Sequence, residues 1–176
     1  MELLKRLWNV DARTIDPLQR IFLVTDGTLT DILEAAVMEP IGLVKLAMET
    51  GPLATRDEAL EMAGGEMVME RKILLRGEQT GRNYVYAESR LALDRLPEEL
   101  RAGLTGSDKP MGRLWVESRL ESRKEMLEVK RGPMGELGMY FGGANELLRR
   151  SYRVISGGRP ILRITESFPA RYGGGS

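Results

Sequence analysis

The sequence predicts a single α+β domain built on a six-stranded antiparallel sheet. Six stretches alternate apolar and polar residues with the period of two that is typical of β-strands, and most of them are joined by hairpin-type turns. Helical patterns with caps and stop signals lie between the strands. The chain has 176 residues, the length of one domain, so we expect one domain over residues 1–170. The remaining residues, 171–176, end in Gly173–Ser176 and are expected to be a flexible tail or a cloning remnant.

Two helices are predicted before the first strand. The first covers Pro17–Leu23, and the run Asp26-Gly27-Thr28 ends it. The second begins at Thr28-Leu29-Thr30-Asp31, which resembles a capping box with Asp in place of Glu, and Pro40 stops it.

The next segment predicts a strand and a short helix. Ile41–Met48 reads as a strand with Val44, Leu46 and Met48 on one face. Thr55-Arg56-Asp57-Glu58 is a fuller capping box, and it predicts a helix that ends near Gly64-Gly65.

The middle of the chain predicts a hairpin and two helices. Glu66–Arg76 and Asn83–Leu93 are long strands, and Glu78-Gln79-Thr80-Gly81 supplies the turn between them. Pro97-Glu98-Glu99 opens a short helix, and Met111–Ser118 forms another.

The last third predicts three strands. Ser122–Lys130 is the first, and Leu148–Ile155 pairs with Ile161–Phe168 in a final hairpin. The intervening loop Gly132–Asn145 is long for a connection, so it is a candidate lid. The charge-rich stretch Glu117–Lys130 is interpreted as a solvated face.

Two of these strands place one charge each on an otherwise apolar face. Strand alternation puts Arg71 on the same face as Met69 and Ile73, and Glu166 on the same face as Ile164. An isolated buried charge is costly unless it is paired or hydrogen-bonded. The pattern therefore indicates either a structural ion pair or a site for a polar ligand.

Composition excludes several kinds of chemistry. Lys and Arg number 26, as do Asp and Glu, so no net charge draws the chain to nucleic acid or to anionic lipid. The chain contains no Cys and no His, which leaves carboxylates, Arg, Lys, Tyr, hydroxyls and backbone amides for catalysis. No apolar run reaches the ~20 residues of a membrane span, and we expect a cytoplasmic protein.

Several runs in this order resemble the chorismate lyases (chorismate pyruvate-lyases). Three of them carry the resemblance to the family as a whole: Glu70-Arg71-Lys72-Ile73-Leu74-Leu75, Lys109-Pro110-Met111-Gly112-Arg113, and the segment Arg149–Glu166. Two more resemble the divergent branch found in archaea and actinobacteria: Tyr86-Ala87-Glu88-Ser89 and Arg95-Leu96-Pro97-Glu98-Glu99. The resemblance extends from about Ile21 to Phe168.

The resemblance implies an antiparallel sheet whose helices and flaps close over a buried ligand cavity. It also implies the conversion of chorismate to 4-hydroxybenzoate and pyruvate, with neither cofactor nor metal. The family's essential Arg falls on Arg71, expected to clamp a carboxylate, and its essential Glu on Glu166, expected to act as an acid or to orient the ring. Two backbone amides that help to bind a carboxylate in the family correspond to the amides of Leu29 and of Met111, which precedes Gly112.

Other expected substrate contacts have simpler structural interpretations. Thr28 and Thr30 flank the Leu29 amide, and they are interpreted first as helix-capping groups, with substrate contact as a secondary role. Ser89 stands where proteobacterial relatives carry a further Arg, and it is either a packed strand residue or a substrate contact. If that Arg binds the second carboxylate of chorismate, another group must do so here, and Arg123 and Arg150 are the candidates. The change also leaves the regiochemistry of the product open.

Two rival functions remain at this stage. One is a non-catalytic domain of the same fold that binds small aromatic acids as a sensor, and the other is a lyase or isomerase acting on another cyclic enol ether. The expected partners are chorismate and 4-hydroxybenzoate, with no nucleic acid and no membrane. The chain is expected to be a monomer or a small homo-oligomer.

Overall fold

The computed structural model describes residues 10–106 and 111–172. These residues form one six-stranded antiparallel sheet in the order β1-β2-β3-β6-β5-β4, which confirms the predicted α+β class. The strands are β1 (Ile41–Pro52), β2 (Met67–Gly77), β3 (Asn83–Ala92), β4 (Arg123–Pro133), β5 (Glu146–Ser156) and β6 (Arg159–Pro169).

Within the described residues, four α-helices accompany the sheet: α1 (Pro17–Val24), α2 (Leu29–Val37), α3 (Glu98–Gly106) and α4 (Met111–Ser118). The residues at which these helices begin and end lie close to the start and stop signals found in the sequence. Pro17 is the first residue of α1, and Glu98 and Glu99 occupy the first turn of α3. Met38 ends α2 in the left-handed conformation, two residues before Pro40. Short 3-10 helices occur at Ala12–Thr14, Leu93–Arg95 and Gly135–Tyr140.

The helix predicted after Thr55 is wrong. Asp57 instead closes a single turn: its Oδ1 accepts a hydrogen bond from the Leu60 amide at 3.1 Å, and its backbone pairs with Met62. Glu61 then adopts a positive φ of 52°, which a continuing right-handed helix cannot contain. The capping signal was real, but tertiary pairing ended the segment after one turn.

The predicted apolar face of the first strand is also wrong. A bulge between Lys45 and Ala47 shifts the register of β1 against β2 by one residue, which exchanges the two faces beyond it. Leu43 therefore lines the inner side of the sheet before the bulge, and Met48 pairs with Arg71 after it. Leu46 is more than one-third exposed.

The helices pack on one face of the sheet in two apolar clusters. The first joins α1 and α2 to the sheet, with Phe22 edge-on to Phe168 at 5.3 Å between ring centroids. The second joins α3 and α4 to the sheet around Leu100, Leu104 and Leu162. None of the helices in the described part of the chain has the length and apolar content that crossing a membrane requires.

The candidate lid does not cover this inner face. Within Gly132–Asn145, Tyr140 stacks on Tyr86 at 5.9 Å, and its carbonyl accepts a hydrogen bond from Asn83. Tyr86 belongs to the outer face of β3, so the lid prediction for this loop is wrong. Tyr172, assigned in advance to the tail, packs against Phe22 and Tyr84, whereas Gly173–Ser176 lies outside the described residues.

Candidate active site

A cavity of about 580 Å³ lies between the two apolar clusters on the inner face of the sheet. Its floor includes Arg71, Ser89 and Glu166, and its other walls come from the segment 26–30, from α4 and from the start of β4. Most of the lining is apolar, with a few charged groups. This combination of size and lining is typical of sites for small molecules.

Arg71 is the most unusual group in the cavity. Its register on β2 places it beside Ser89 of β3, and the residue is only 2% exposed. Its Nε and Nη2 atoms are buried and have no hydrogen-bond partner among the described residues. Burial lowers the pKa of the Arg71 guanidinium, which nevertheless stays charged near neutral pH. The planar Arg71 guanidinium faces the cavity and has N–H donors that are not yet used, so it is suited to bind a carboxylate.

Glu166 is held by the neighbouring strand. Arg150 Nε donates to Glu166 Oε2 at 2.5 Å, and the Tyr152 hydroxyl donates to Oε1 at 3.2 Å. Arg150 Nη1 also donates to the Thr25 carbonyl at 2.9 Å. The buried ion pair is therefore Arg150–Glu166, and the interpretation of Arg71 and Glu166 as a structural pair with each other is wrong. Burial, and then the Glu166 charge, keep the pKa of Tyr152 well above its ordinary value, so the hydroxyl remains a donor.

Arg71 and Glu166 reach the cavity from separate positions. Arg71 lies directly opposite Ser89, Ser89 opposite Ile164, and Glu166 lies two residues beyond Ile164 on β6. With strands about 4.8 Å apart and about 3.4 Å per residue, their Cα atoms are roughly 12 Å apart. An aromatic ring with a polar group at each end fits between side chains placed in this way.

The start of α2 forms another wall of the cavity. Thr28, Leu29 and Thr30 all line it, and Thr30 is only 3% exposed. Thr28 occupies the N-cap position, but its side chain makes no capping hydrogen bond, so the capping-box interpretation is wrong for Thr28. The helix therefore begins at the cavity with first-turn amide groups that its cap side chain does not satisfy.

The other predicted binding residues also lie at or near the cavity. Met111, the first residue of α4, lines it and is followed by Gly112 in the helix, while Lys109 and Pro110 lie outside the described residues. Ser89 is 8% exposed and lines the floor next to Arg71. Its small side chain leaves open space above the centre of the sheet.

Sequence reasoning missed Lys124. Its side chain lies in the cavity, where Nζ donates to the Gly27 carbonyl at 3.1 Å and sits 5.1 Å from the centroid of the Tyr152 ring. Burial is the main cause of a lowered pKa at Lys124. The assignment of Glu117–Lys130 to a solvated face is therefore wrong at this residue. The sequence does contain one signal. Lys124 and Met126 are two residues apart on a strand and so face the same side, and the apolar Met126 indicates that this is the inner side.

The two arginines proposed for the second carboxylate are in different situations. Arg150 is committed to Glu166 and Thr25, as described above. Arg123 lines the cavity but is exposed at its rim. Among the described residues there is no group of three or more acidic side chains placed to hold a metal ion.

An antiparallel α+β domain with a cation-lined cavity of this size on one face has the features of the class of small-molecule-binding domains. Sequence comparison identifies the family within this class. Residues 23–172 match the Rv2949c-like chorismate pyruvate-lyase family, and the chain belongs to it. The resemblance inferred from the sequence is thereby confirmed.

Relatives from mycobacteria support the same assignment. A chorismate pyruvate-lyase of Mycobacterium tuberculosis (strain CDC 1551 / Oshkosh) is 34% identical over 168 residues, covering 92% of this chain and 84% of the relative. A chorismate pyruvate-lyase of Mycobacterium leprae (strain TN) is 32% identical, covering 93% of this chain and 80% of the relative.

Solved structures of the same fold include the ligand-binding domain of a putative transcriptional regulator. PhnF from Mycobacterium smegmatis matches with a TM-score of 0.65 at 13% identity, over 83% of this chain and 65% of PhnF, so the chain spans just under two thirds of that protein. The ligand-binding domain of a putative GntR-family transcriptional regulator from Bordetella bronchiseptica matches with a TM-score of 0.55 at 20% identity, over 73% of this chain and 82% of that one. At these identities the likeness concerns the fold alone.

Proposed function

We propose that this protein is a chorismate pyruvate-lyase, which removes the enolpyruvyl group of chorismate to give 4-hydroxybenzoate and pyruvate without a cofactor. The observation that carries the proposal is Arg71, a buried guanidinium with unused donors at the floor of a cavity sized for a small molecule. The mycobacterial relatives, aligned over more than nine-tenths of the chain, support the same reaction.

Arg71 binds the ring carboxylate of the substrate. A bidentate contact uses the two unpartnered nitrogens, Nε and Nη2, and offsets the cost of burying them. The backbone amides of Leu29 and Met111, each at the first position of a helix that borders the cavity, complete the carboxylate site. The ring then lies over the floor beside Ser89, directed toward Glu166.

The reaction is an elimination that makes the ring aromatic. The bond from the ring carbon to the ether oxygen breaks, and its electron pair leaves with the enolpyruvate. The proton on the adjacent, hydroxyl-bearing ring carbon is lost, and that pair of electrons completes the aromatic ring. Enolpyruvate takes up a proton and becomes pyruvate, so no water is consumed. Since aromatisation supplies the driving force, the protein contributes orientation and exclusion of water.

Glu166 orients the ring in this scheme. Its two oxygens accept hydrogen bonds from Arg150 and Tyr152, which fix the carboxylate in one position. A carboxylate held in this way can accept a further hydrogen bond from the ring hydroxyl and so set the ring's rotation in the cavity. Of the two roles expected from the sequence, acid or orienting group, this geometry favours the second.

The test is to incubate the purified protein with chorismate and to separate the products by chromatography. We expect pyruvate and 4-hydroxybenzoate in equal amounts, strongly reduced by Arg71→Met. Lys72→Met is the matched control, because Lys72 is the next residue on β2 and is more than half exposed, with a 3.8 Å ion pair to Glu88. Formation of 3-hydroxybenzoate instead would contradict the proposed regiochemistry and direct attention to Ser89.

The alternative is a non-catalytic domain that binds small aromatic acids. It is favoured by the solved ligand-binding domain of a putative transcriptional regulator that shares this fold. The same experiment separates the two functions. A protein that leaves chorismate intact but melts at a higher temperature with 4-hydroxybenzoate would be a binding domain.

A further inference from the structure

We infer that Lys124 binds the second carboxylate of a dicarboxylate substrate, at the opposite end of the cavity from Arg71. The inference deepens the proposed function and rests on it for the identity of that substrate. It assigns a binding role to a residue on β4, the edge strand at the opposite end of the sheet from β1 and β2.

The position of Lys124 fits this role. Lys124 pairs with Val154 in the sheet, and Val154 pairs with Leu162, so all three lie on the inner face that lines the cavity. Its ammonium group has three hydrogens, of which one is used by the Gly27 carbonyl at 3.1 Å. No second hydrogen bond from this group is present within residues 10–106 and 111–172. Two donors therefore remain for a ligand.

The charge of the cavity indicates a dianion. The site holds four cationic groups, Arg71, Arg123, Lys124 and the adjacent Arg150. It also holds two carboxylates, Asp26 at the exposed edge of the lining and Glu166, which is paired with Arg150. With four cations against two carboxylates, the site carries two more positive charges than negative ones. A ligand with a single carboxylate satisfies Arg71 and leaves the two remaining donors of Lys124 without an acceptor, whereas a dicarboxylate supplies an acceptor to both residues.

The two cations are placed to hold separate carboxylates. Arg71 lies on β2 and Lys124 on β4, with β3, β6 and β5 between them. At about 4.8 Å per strand, their Cα atoms are roughly 19 Å apart along the sheet, so their side chains approach a ligand from opposite ends. The ring carboxylate at Arg71 leaves the enolpyruvyl carboxylate directed toward Lys124. The floor of the cavity at Ser89 supplies no charge between them.

Arg150 and Arg123, the other two cations near the cavity, are not placed to bind the second carboxylate. Arg150 uses Nε for Glu166 and Nη1 for the Thr25 carbonyl. Its Nη2 has no partner among the described residues, but Arg150 is not among the residues that line the cavity. Arg123 is exposed at the rim, where solvent screens its charge. Lys124 is the remaining partly buried cation in the described lining.

The experiment compares Lys124→Met with the matched control Lys130→Met, an exposed lysine on the same strand that pairs with Glu128. Two quantities are measured: the KM for chorismate with kcat, and the Kd for 4-hydroxybenzoate by calorimetry. We expect Lys124→Met to raise the chorismate KM more than tenfold, while the Kd for 4-hydroxybenzoate changes less than twofold. Lys124→Arg should restore most of the chorismate affinity, and Lys130→Met should change neither quantity.

Two results would overturn the inference. Equal loss of affinity for chorismate and for 4-hydroxybenzoate would make Lys124 a structural residue, and unchanged chorismate affinity would place the second carboxylate elsewhere. Lys124→Gln replaces the Met variant if the latter does not fold. If the wild-type protein binds chorismate without turning it over, the proposed function fails, but the Kd for unreacted chorismate still tests Lys124 against the same criteria.

Discussion

Replacing Arg71 by Met should make the ligand-free protein more stable, although it removes the central binding group. Two buried nitrogens of Arg71 lack partners in the part of the chain that the structure describes, and each unsatisfied group of this kind costs about 1–3 kcal/mol. Met keeps the apolar stem but loses the packing of the guanidinium plane, so we expect a net gain of about 1–2 kcal/mol in the free energy of unfolding. For a chain of this size that gain raises Tm by about 2–8 °C.

Arg150→Met is the matched control for this prediction. Arg150 is as buried as Arg71, at 1% against 2% exposure, but it is paired with Glu166. Removing it leaves the Glu166 carboxylate buried without its main partner and frees the Thr25 carbonyl. Breaking a buried pair in this way costs about 3–5 kcal/mol, so this variant should melt at least about 6 °C below the wild type.

The assay is denaturant unfolding of the three proteins with and without 4-hydroxybenzoate. A ligand at about 100 times its Kd stabilises the wild type by about 2.7 kcal/mol, and the Arg71→Met variant should show less than about 1 kcal/mol at the same concentration. The reasoning would be refuted if Arg71→Met were less stable than the wild type without ligand. An unchanged ligand effect in that variant would equally refute it.

Three further variants test other parts of the site and the fold. Glu166→Gln should lower kcat more than tenfold and destabilise the protein by about 3–5 kcal/mol, because the neutral amide keeps the shape but leaves the buried Arg150 without its counter-ion. A kcat within twofold of wild type would remove Glu166 from the mechanism. Leu29→Pro should weaken 4-hydroxybenzoate binding about tenfold more than Leu29→Ala in calorimetry, because Pro is tolerated at the first helical position but lacks the amide hydrogen. Asp57→Asn should cost about 2–4 kcal/mol at pH 7, because the Asp57 carboxylate is buried and accepts from Arg90 at 2.6 Å. Burial opposes ionisation of Asp57, but the hydrogen bonds from Arg90 and Leu60 and the Arg163 charge outweigh it and lower its pKa. The stabilisation is therefore fully present above about pH 4 and is lost as the pH falls through the lowered pKa, so urea unfolding should show the two proteins converging only in acid. A difference that was constant down to pH 2 would contradict this origin.

Local patterns predicted the parts of the fold that local physics decides. Alternation placed Arg71 and Glu166 on the inner face correctly, because the apolar residues around them admit only one orientation of each strand. The helix from Met111 to Ser118 was predicted with the bounds that the structure shows. The turn at Asp57 and the bulge in β1 were missed, because both arise from pairing with distant residues.

The partnerships inside the cavity could not be predicted from periodicity. Arg150 and Glu166 meet because β5 pairs with β6 in one particular register, and Lys124 reaches the same cavity from the edge of the sheet. A charge count of the segment Glu117–Lys130 does not distinguish the inner lysine from its solvated neighbours. Strand order decides which charges meet, and no local signal contains it.

The most direct test of the central claim is a crystal structure of the protein with 4-hydroxybenzoate. The expected result is a ligand carboxylate within hydrogen-bond distance of Arg71 Nε and Nη2 and of the Leu29 and Met111 amides, with the ring hydroxyl directed toward Glu166. A carboxylate bound at Lys124 with Arg71 still unpartnered, or a ligand outside the cavity, would contradict it.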